Sequence, residues 1–329
     1  MASCPVLSPR RDHGSRRGPT RAGRPVDRRP AARRSARQPA AARRGGQPAV
    51  RPHAARRGVP DPSPRRAPQA RMTEPQAAKV QAQFGAAAEA YVACPGFATG
   101  DDLAQLVAWG RTARPGRVLD VATGGGHTAL AFAGLARRVT AVDLTEPMLR
   151  AAARHVRGAG AANVDFLAAE AERLPFRDGA FDLVTCRIAP HHFTDVPAAV
   201  RQVARVLRPD GLFLLEDILG HDDPDAAAFI TEVERRRDPS HVRAYRAGEW
   251  AAYLAAAGLT VTDQTSLRRV RVWEEWTGMS RMAAAAKAGL ERFVLGAPSA
   301  ARAAFEFKIS ADRIESFSDG LIVLRACKS

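Results

Sequence analysis

The sequence predicts an α/β fold, a mostly parallel sheet with helices on both faces. Three observations carry this. Residues 117–136 read as an apolar run, Arg117-Val118-Leu119-Asp120-Val121, then Ala122-Thr123-Gly124-Gly125-Gly126, then an Ala/Leu-rich helical pattern from Thr128 to Ala136. That is strand, tight turn and helix, the opening unit of a nucleotide-binding domain. The glycines let the backbone turn sharply and let a ligand approach without meeting a Cβ. A second strand, Arg138-Val139-Thr140-Ala141-Val142-Asp143, ends in an acid 23 positions after Asp120. An acid at that tip is placed to accept from both hydroxyls of an adenosine ribose. Finally, Phe181 to Arg187 is a nearly continuous apolar run, as suits a strand buried on both faces. The order D-x-A-x-G-x-G departs from the dinucleotide pattern G-x-G-x-x-G. His127 stands where a P-loop needs Lys, which argues against a triphosphate cradle.

Among the 329 residues, charge is unevenly placed. Residues 1–71 hold 19 Arg, three Asp and no Lys or Glu, a balance of +16, whereas the remaining 31 bases and 31 acids cancel. This Arg/Pro/Ala-rich tail has too little apolar surface to offset chain entropy and is expected to be disordered. It reads best as an upstream extension ahead of a start at Met72-Thr73-Glu74-Pro75, with a nucleic-acid-binding arm or a targeting segment as the other readings.

The spacing predicts a helix over Gln76 to Tyr91 and another over Leu103 to Ala113, capped by Asp101-Asp102 and ended by Pro115-Gly116. After Asp143, Thr145 caps a helix with Pro147 in its first turn. A third strand runs from Val164 to Glu170, and turns follow at Leu174-Pro175-Phe176 and Asp178-Gly179. Beyond the Phe181–Arg187 strand lies Ile188-Ala189-Pro190-His191-His192-Phe193, at the carboxyl edge where such sheets bind ligands. His191 and His192 are therefore candidates for a general base, although pocket lining is the preferred reading. An amphipathic helix follows over Val196 to Leu207, and Pro209-Asp210-Gly211 turns into a strand over Leu212 to Ile218. Glu216-Asp217 at its end lacks the Asp/Asn cluster that a metal-dependent catechol site needs. Residues 219–248 read as a substrate lid. Helix Glu249 to Gly258, edge strand Thr260 to Val272, helix Trp273 to Ala288 and strand Leu321 to Ala326 complete seven strands. Cys4, Cys94, Cys186 and Cys327 are scattered without a CxxC, so no metal is expected, and the setting is read as cytoplasmic with no membrane-length apolar run.

Four motifs in register carry a resemblance. Val118-Leu119-Asp120-Val121-Ala122-x-Gly124-x-Gly126, Val142-Asp143-Leu144-Thr145-x-x-Met148-Leu149, Glu170-Ala171-Glu172-x-Leu174-Pro175-Phe176 and Phe181-Asp182-Leu183-Val184 resemble the class I S-adenosylmethionine-dependent methyltransferases. The subgroup most resembled contains the ubiquinone/menaquinone C-methyltransferases (methyltransferase type 11). The resemblance covers about residues 80–329. It implies a Rossmann-like seven-stranded sheet with the last strand antiparallel, and S-adenosyl-L-methionine as cofactor. It implies cofactor contacts from Asp120, Ala122, Thr123, Gly124, Gly126, Asp143, Leu144, Met148, Glu170, Ala171, Glu172 and Arg187. Leu144 and Met148 would pack on the adenine, and Glu170 stands where the family has Asp. Leading helices over 72–113 would cover the substrate side, making Tyr91 a substrate contact beside His191 and His192.

The expected activity is methyl transfer within residues 72–329 to a small, aromatic or quinone-like acceptor. No membrane partner is expected, and nucleic acid is disfavoured; the sequence leaves the oligomeric state open. A nucleic-acid methyltransferase using the basic tail would want an N/D-P-P-Y/F motif, for which Ala189-Pro190-His191 is no substitute. A nicotinamide-dependent oxidoreductase is opposed by Ala122 at the first glycine position and by Glu170-Ala171-Glu172. A shortened protein beginning at Met72 is expected to keep its melting temperature and its affinity for S-adenosylhomocysteine. Thermal melts and calorimetry check this, and loss of folding would show that the tail packs.

Overall fold

The computed structural model describes residues 73–329. The expectations for residues 1–71 lie outside them. The chain opens with helices α1 (Glu74–Ala93), α2 (Pro95–Ala98) and α3 (Asp101–Ala113). Then come β1 (Arg117–Val121), α4 (His127–Ala133), β2 (Arg138–Asp143), α5 (Glu146–Gly158), β3 (Val164–Ala168) and β4 (Phe181–Arg187). A single 3-10 turn, Pro190–His192, leads to α6 (Val196–Val206), β5 (Leu207–Ile218), α7 (Pro224–Arg237) and α8 (Ala247–Ala256). The last elements are β6 (Leu259–Val272), α9 (Trp273–Met279), α10 (Ala284–Leu295), α11 (Ser299–Ala304), β7 (Lys308–Ser310) and β8 (Arg313–Lys328).

The sheet runs β3-β2-β1-β4-β5-β8-β6, parallel from β3 to β5, with β8 inserted antiparallel between β5 and β6. Two helical layers cover it. Leu106 of α3, Phe132 of α4 and Val156 of α5 close one face. Val200 and Val203 of α6 and Trp250 and Leu254 of α8 close the other. A third apolar cluster joins Phe229 and Val233 of α7, Trp273 and Trp276 of α9, Leu290 of α10 and Phe317 of β8. No described helix is long and apolar enough to cross a membrane.

Several local expectations change. Asp101-Asp102 does not cap α3; Gly100 occupies the cap, and Asp102 turns inward to a buried arginine. The predicted helix 273–288 is two, broken at Ser280-Arg281, where Arg281 adopts φ 52°. The last strand reaches back to Arg313 and pairs with β7, an eighth strand whose three residues carry no pattern to read. Segment 219–248 holds α7, and its Val242 N–H donates to the carbonyl of His191.

Gly110 shows how tightly the α3–α4 layer is packed. A Cβ there would meet the ring of Phe132 well inside contact distance, and Phe132 is fully buried. Helix propensity alone favours Gly110→Ala by about 1 kcal/mol, but overpacking a closed core costs about 1–3 kcal/mol. Net destabilisation of up to about 2 kcal/mol is expected in urea denaturation; a stabilised variant would show that the layer yields.

Candidate cofactor and acceptor cleft

The carboxyl ends of β1, β2 and β4 open into one cleft, with about 940 Å³ of space including its mouth. The turn after β1 forms its floor. Ala122 (φ 54°), Gly124 (φ 53°) and Gly126 (φ 81°) alternate into the left-handed region. For Ala122 this costs roughly 1–2 kcal/mol, a cost that a glycine would not carry. Ile188, just past β4, is also left-handed at φ 52° and lines the same cleft. Strain of this kind persists only where surrounding structure over-determines it.

Two acids stand at the strand tips. Asp120 is buried, and its oxygens accept from the hydroxyls of Thr123 at 2.6 Å and Thr185 at 2.7 Å. Burial pushes its carboxyl up to about 6. Asp143 accepts from the Gly124 N–H and from the Thr145 N–H, each at 2.9 Å and each on a different oxygen. Burial raises its carboxyl as well. One backbone donor per oxygen leaves each with a further lone pair, the arrangement that a vicinal diol can use. Beside it the Leu144 and Met148 side chains form an apolar wall, and Ala169, Glu170 and Ala171 face them. Oε2 of Glu170 is buried without a partner among the described residues. An acceptor so placed favours a ligand with an exocyclic N–H.

Two residues expected to touch the cofactor lie outside the cleft lining. Gly126 is outside the cleft lining; a Cβ there would stand 3.0 Å from Val156 and 3.1 Å from Ala152, so glycine serves the packing of the turn on α5. Glu172 also points elsewhere: it is buried and accepts from the Thr194 N–H at 3.1 Å, bracing the loop before α6. Arg187 lines the cleft, but its guanidinium is committed to Asp102, to Glu216 at 2.7 Å and to the Phe97 carbonyl at 3.0 Å. It therefore ties the leading helices to the sheet.

The two histidines part company. His191 leaves the cleft lining and pairs through Nδ1 with Asp217 at 2.5 Å. His192 lines the cleft. Its Nδ1 lies 3.2 Å from the Ser240 carbonyl and 3.1 Å from the Ser240 hydroxyl, whose own proton goes to Asp238 at 2.5 Å. This assigns the proton to Nδ1 and leaves Nε2 as the lone-pair nitrogen. Burial, then His191, drives its pKa down to about 3, so the ring is neutral near neutrality.

An aromatic wall lines the same cleft. Tyr91 stacks on Phe97 at 5.2 Å, and Phe84 sets an edge against both Tyr91 and His192. His127 holds this wall down: its Nε2 is 3.2 Å from the Tyr91 carbonyl, and burial lowers its pKa to about 4. His127, Phe84, Phe97 and Ile188 were not foreseen as lining residues. They come from helices or loops whose packing over the sheet no linear spacing reveals. Among the described residues, no group of acids, histidines and cysteines is arranged to hold a metal.

Residues 119–215 match the model of a methyltransferase domain. The chain is 44% identical over 167 residues to the uncharacterized methyltransferase YcgJ of Bacillus subtilis, 51% of this chain and 66% of that protein. It is 39% identical over 108 residues to the ubiquinone/menaquinone biosynthesis C-methyltransferase UbiE of Shewanella woodyi, 31% of this chain and 43% of that one. It thus spans less than two thirds of either protein. The solved structure of a candidate methyltransferase from Bacillus halodurans superposes with a TM-score of 0.67 at 34% identity, covering 70% of this chain and 99% of that one.

Removing the Asp143 carboxylate strips the cleft of its pair of polar acceptors. Asp143→Ala is expected to weaken S-adenosylhomocysteine binding roughly tenfold or more. Calorimetry on a variant that still melts cooperatively checks this, and unchanged affinity would sink the ribose assignment.

Proposed function

We infer the reaction from a settled premise: the chain belongs to the class I S-adenosylmethionine-dependent methyltransferases. It is an enzyme, and its cofactor supplies a methyl group already activated on a sulfonium. The acceptor we propose is a small aromatic or quinone-like molecule. The observation that carries this is the wall of Phe84, Tyr91, Phe97 and His192 lining the same cleft as the strained turn. Flat aromatic rings offer an aromatic ligand large contact area at little entropy cost.

In this reading Asp143 holds the ribose hydroxyls. Leu144 and Met148 sandwich the adenine, and Glu170 and the Ala171 N–H hold its edge. Ala122, Thr123 and Gly124 let the backbone approach the cofactor closely, and Asp120 anchors that turn. The chain's remaining task is to align the acceptor behind the methyl and exclude water, since alignment alone supplies much of the rate. Segments 72–113 and 219–248 serve as the covers. In support, Gln76 Nε2 donates to the carbonyls of both His192 and Ser240, joining the two segments.

His192 is a lining residue in this mechanism and not a proton acceptor. Its ring is far too weak a base to match neutral conditions. A screen of phenols, hydroquinones and reduced quinones, read as S-adenosylhomocysteine formed, tests the acceptor class; turnover confined to non-aromatic acceptors or nucleic acid would overturn it. On the best acceptor found, His192→Gln is expected to raise KM several-fold with kcat within about threefold. Because the depressed pKa keeps the ring neutral down to about 3, the kcat profile between about pH 5.5 and 8 should be unchanged in shape. A fall in kcat of roughly two orders of magnitude or more, with loss of an acid limb, would make His192 a general base.

A further inference from the structure

A second chamber adjoins the cleft, sharing Phe97 and Ile188 with it. Its wall is the carboxyl-terminal half of β6, where Arg269 and Arg271 point to the same, inner side of an edge strand. Both side chains are largely buried, 12% and 14% exposed. Arg269 forms a two-pronged pair with Asp319, 2.9 Å from Nε and 2.7 Å from a terminal nitrogen. Arg271 reaches the same carboxylate through Nε alone, at 3.1 Å. Its terminal nitrogens make no such contact with Asp319.

An inward charge on an edge strand guards against pairing with another chain. The Arg269–Asp319 pair would suffice for that. Arg271 is a second guanidinium on one carboxylate, and it crowds Arg237, which lies over the Trp276 ring at 5.0 Å. Burial pushes the nearby Glu234 carboxyl up, and its charge offsets part of this crowding. Of the acids that line the chamber, Asp102 is committed to Arg187 and Asp101 sits exposed at the rim. Glu275 also lines it, and its Oε2 is buried without a partner among the described residues, free to accept from a hydroxyl. Trp276, 2% exposed in the same wall, likewise has a buried indole N–H without a partner. Buried donors of this kind call for an acceptor.

Resting on the acceptor reading above, we propose that this chamber is the anion end of the acceptor site: the methyl acceptor is a small aromatic acid whose carboxylate docks on Arg271. Asp319 and Arg269 act as positioning residues that fix the fork of Arg271. The ring lies toward Phe97 and Ile188, the residues common to both chambers, which puts a ring substituent at the cofactor side. Guanidinium and carboxylate match in two parallel hydrogen bonds, and a partly desolvated site strengthens them.

The test uses the full chain saturated with S-adenosylhomocysteine and ligand-observed NMR titrations of benzoate, benzamide and phenyl phosphate. Benzoate should bind at least roughly tenfold more tightly than its neutral isostere benzamide. Arg271→Gln should erase that preference, Arg271→Lys should keep part of it, and both should bind S-adenosylhomocysteine as the parent does. Equal binding of benzoate and benzamide, binding of neither, or a preference that survives Arg271→Gln overturns the proposal. Phenyl phosphate displacing benzoate at lower concentration overturns the carboxylate in favour of a phosphate. The acid–amide comparison is made on the unaltered protein, so it stands even if a variant fails to fold. A benzoate preference with no methyl transfer to any aromatic would keep the anion site and sink the aromatic-acceptor reading, whereas transfer confined to neutral aromatics would do the reverse.

Discussion

The buried arginine at the end of β4 holds the architecture together. Arg187 lies between Asp102 of α3 and Glu216 of β5, all three side chains at most 5% exposed. One cation between two carboxylates would leave a net buried negative charge, which a low-dielectric interior does not tolerate. The two acids resolve this by dividing their behaviour. Asp102 is held below the usual carboxylate range against the pull of burial, by the Arg187 charge and a hydrogen bond from Glu216. Glu216 is pushed up to about 8, chiefly by burial. A protonated Glu216 makes the trio neutral. Removing one member of such a network costs roughly 3–5 kcal/mol because it strands the others. Through its bond to the Phe97 carbonyl, the same guanidinium sets where the aromatic wall stands. The leading helices are therefore tied to the strand ends that open into the cleft.

The turn after β1 shows the opposite economy. Ala122 accepts left-handed strain where glycine would be relaxed, while Gly126 has no such choice because α5 presses against it. Asp143 and the Gly124 N–H lock together across the β1–β2 tips, so this carboxylate staples the turn in place. The floor is thus held in shape by the groups that line it. Such preorganisation lowers the ordering cost of binding.

Behind the cleft, the histidines and the 238–242 segment form a polar seam inside the protein. His191 on Asp217 and His192 on Ser240 orient two adjacent rings, 4.1 Å apart, in different directions. Burial and the neighbouring His191 ring keep His192 neutral. The seam shapes the wall.

Much of this was legible in the sequence because it is local. The β1 turn, the acid 23 residues on, the apolar β4 run and the cleft-lining Leu144, Met148 and Glu170 are set by steric needs that act within a few residues. The parallel direction of β1, β2 and β3 follows from strand–helix alternation, whereas β3 reaches β4 through turns alone. What the sequence left undecided is where side chains point once elements far apart in the chain meet. Adjacent His191 and His192 look alike in a string, yet the 3-10 turn sends one to Asp217 and the other to the cleft. Asp102 reads as a helix cap until a buried cation 85 residues away claims it. Glu172 and Gly126 belong to motifs but serve packing, and Arg271 gains its meaning only from sharing Asp319 with Arg269 across two strands. Local sterics and periodicity are written residue by residue; desolvation and charge pairing depend on the environment that folding assembles.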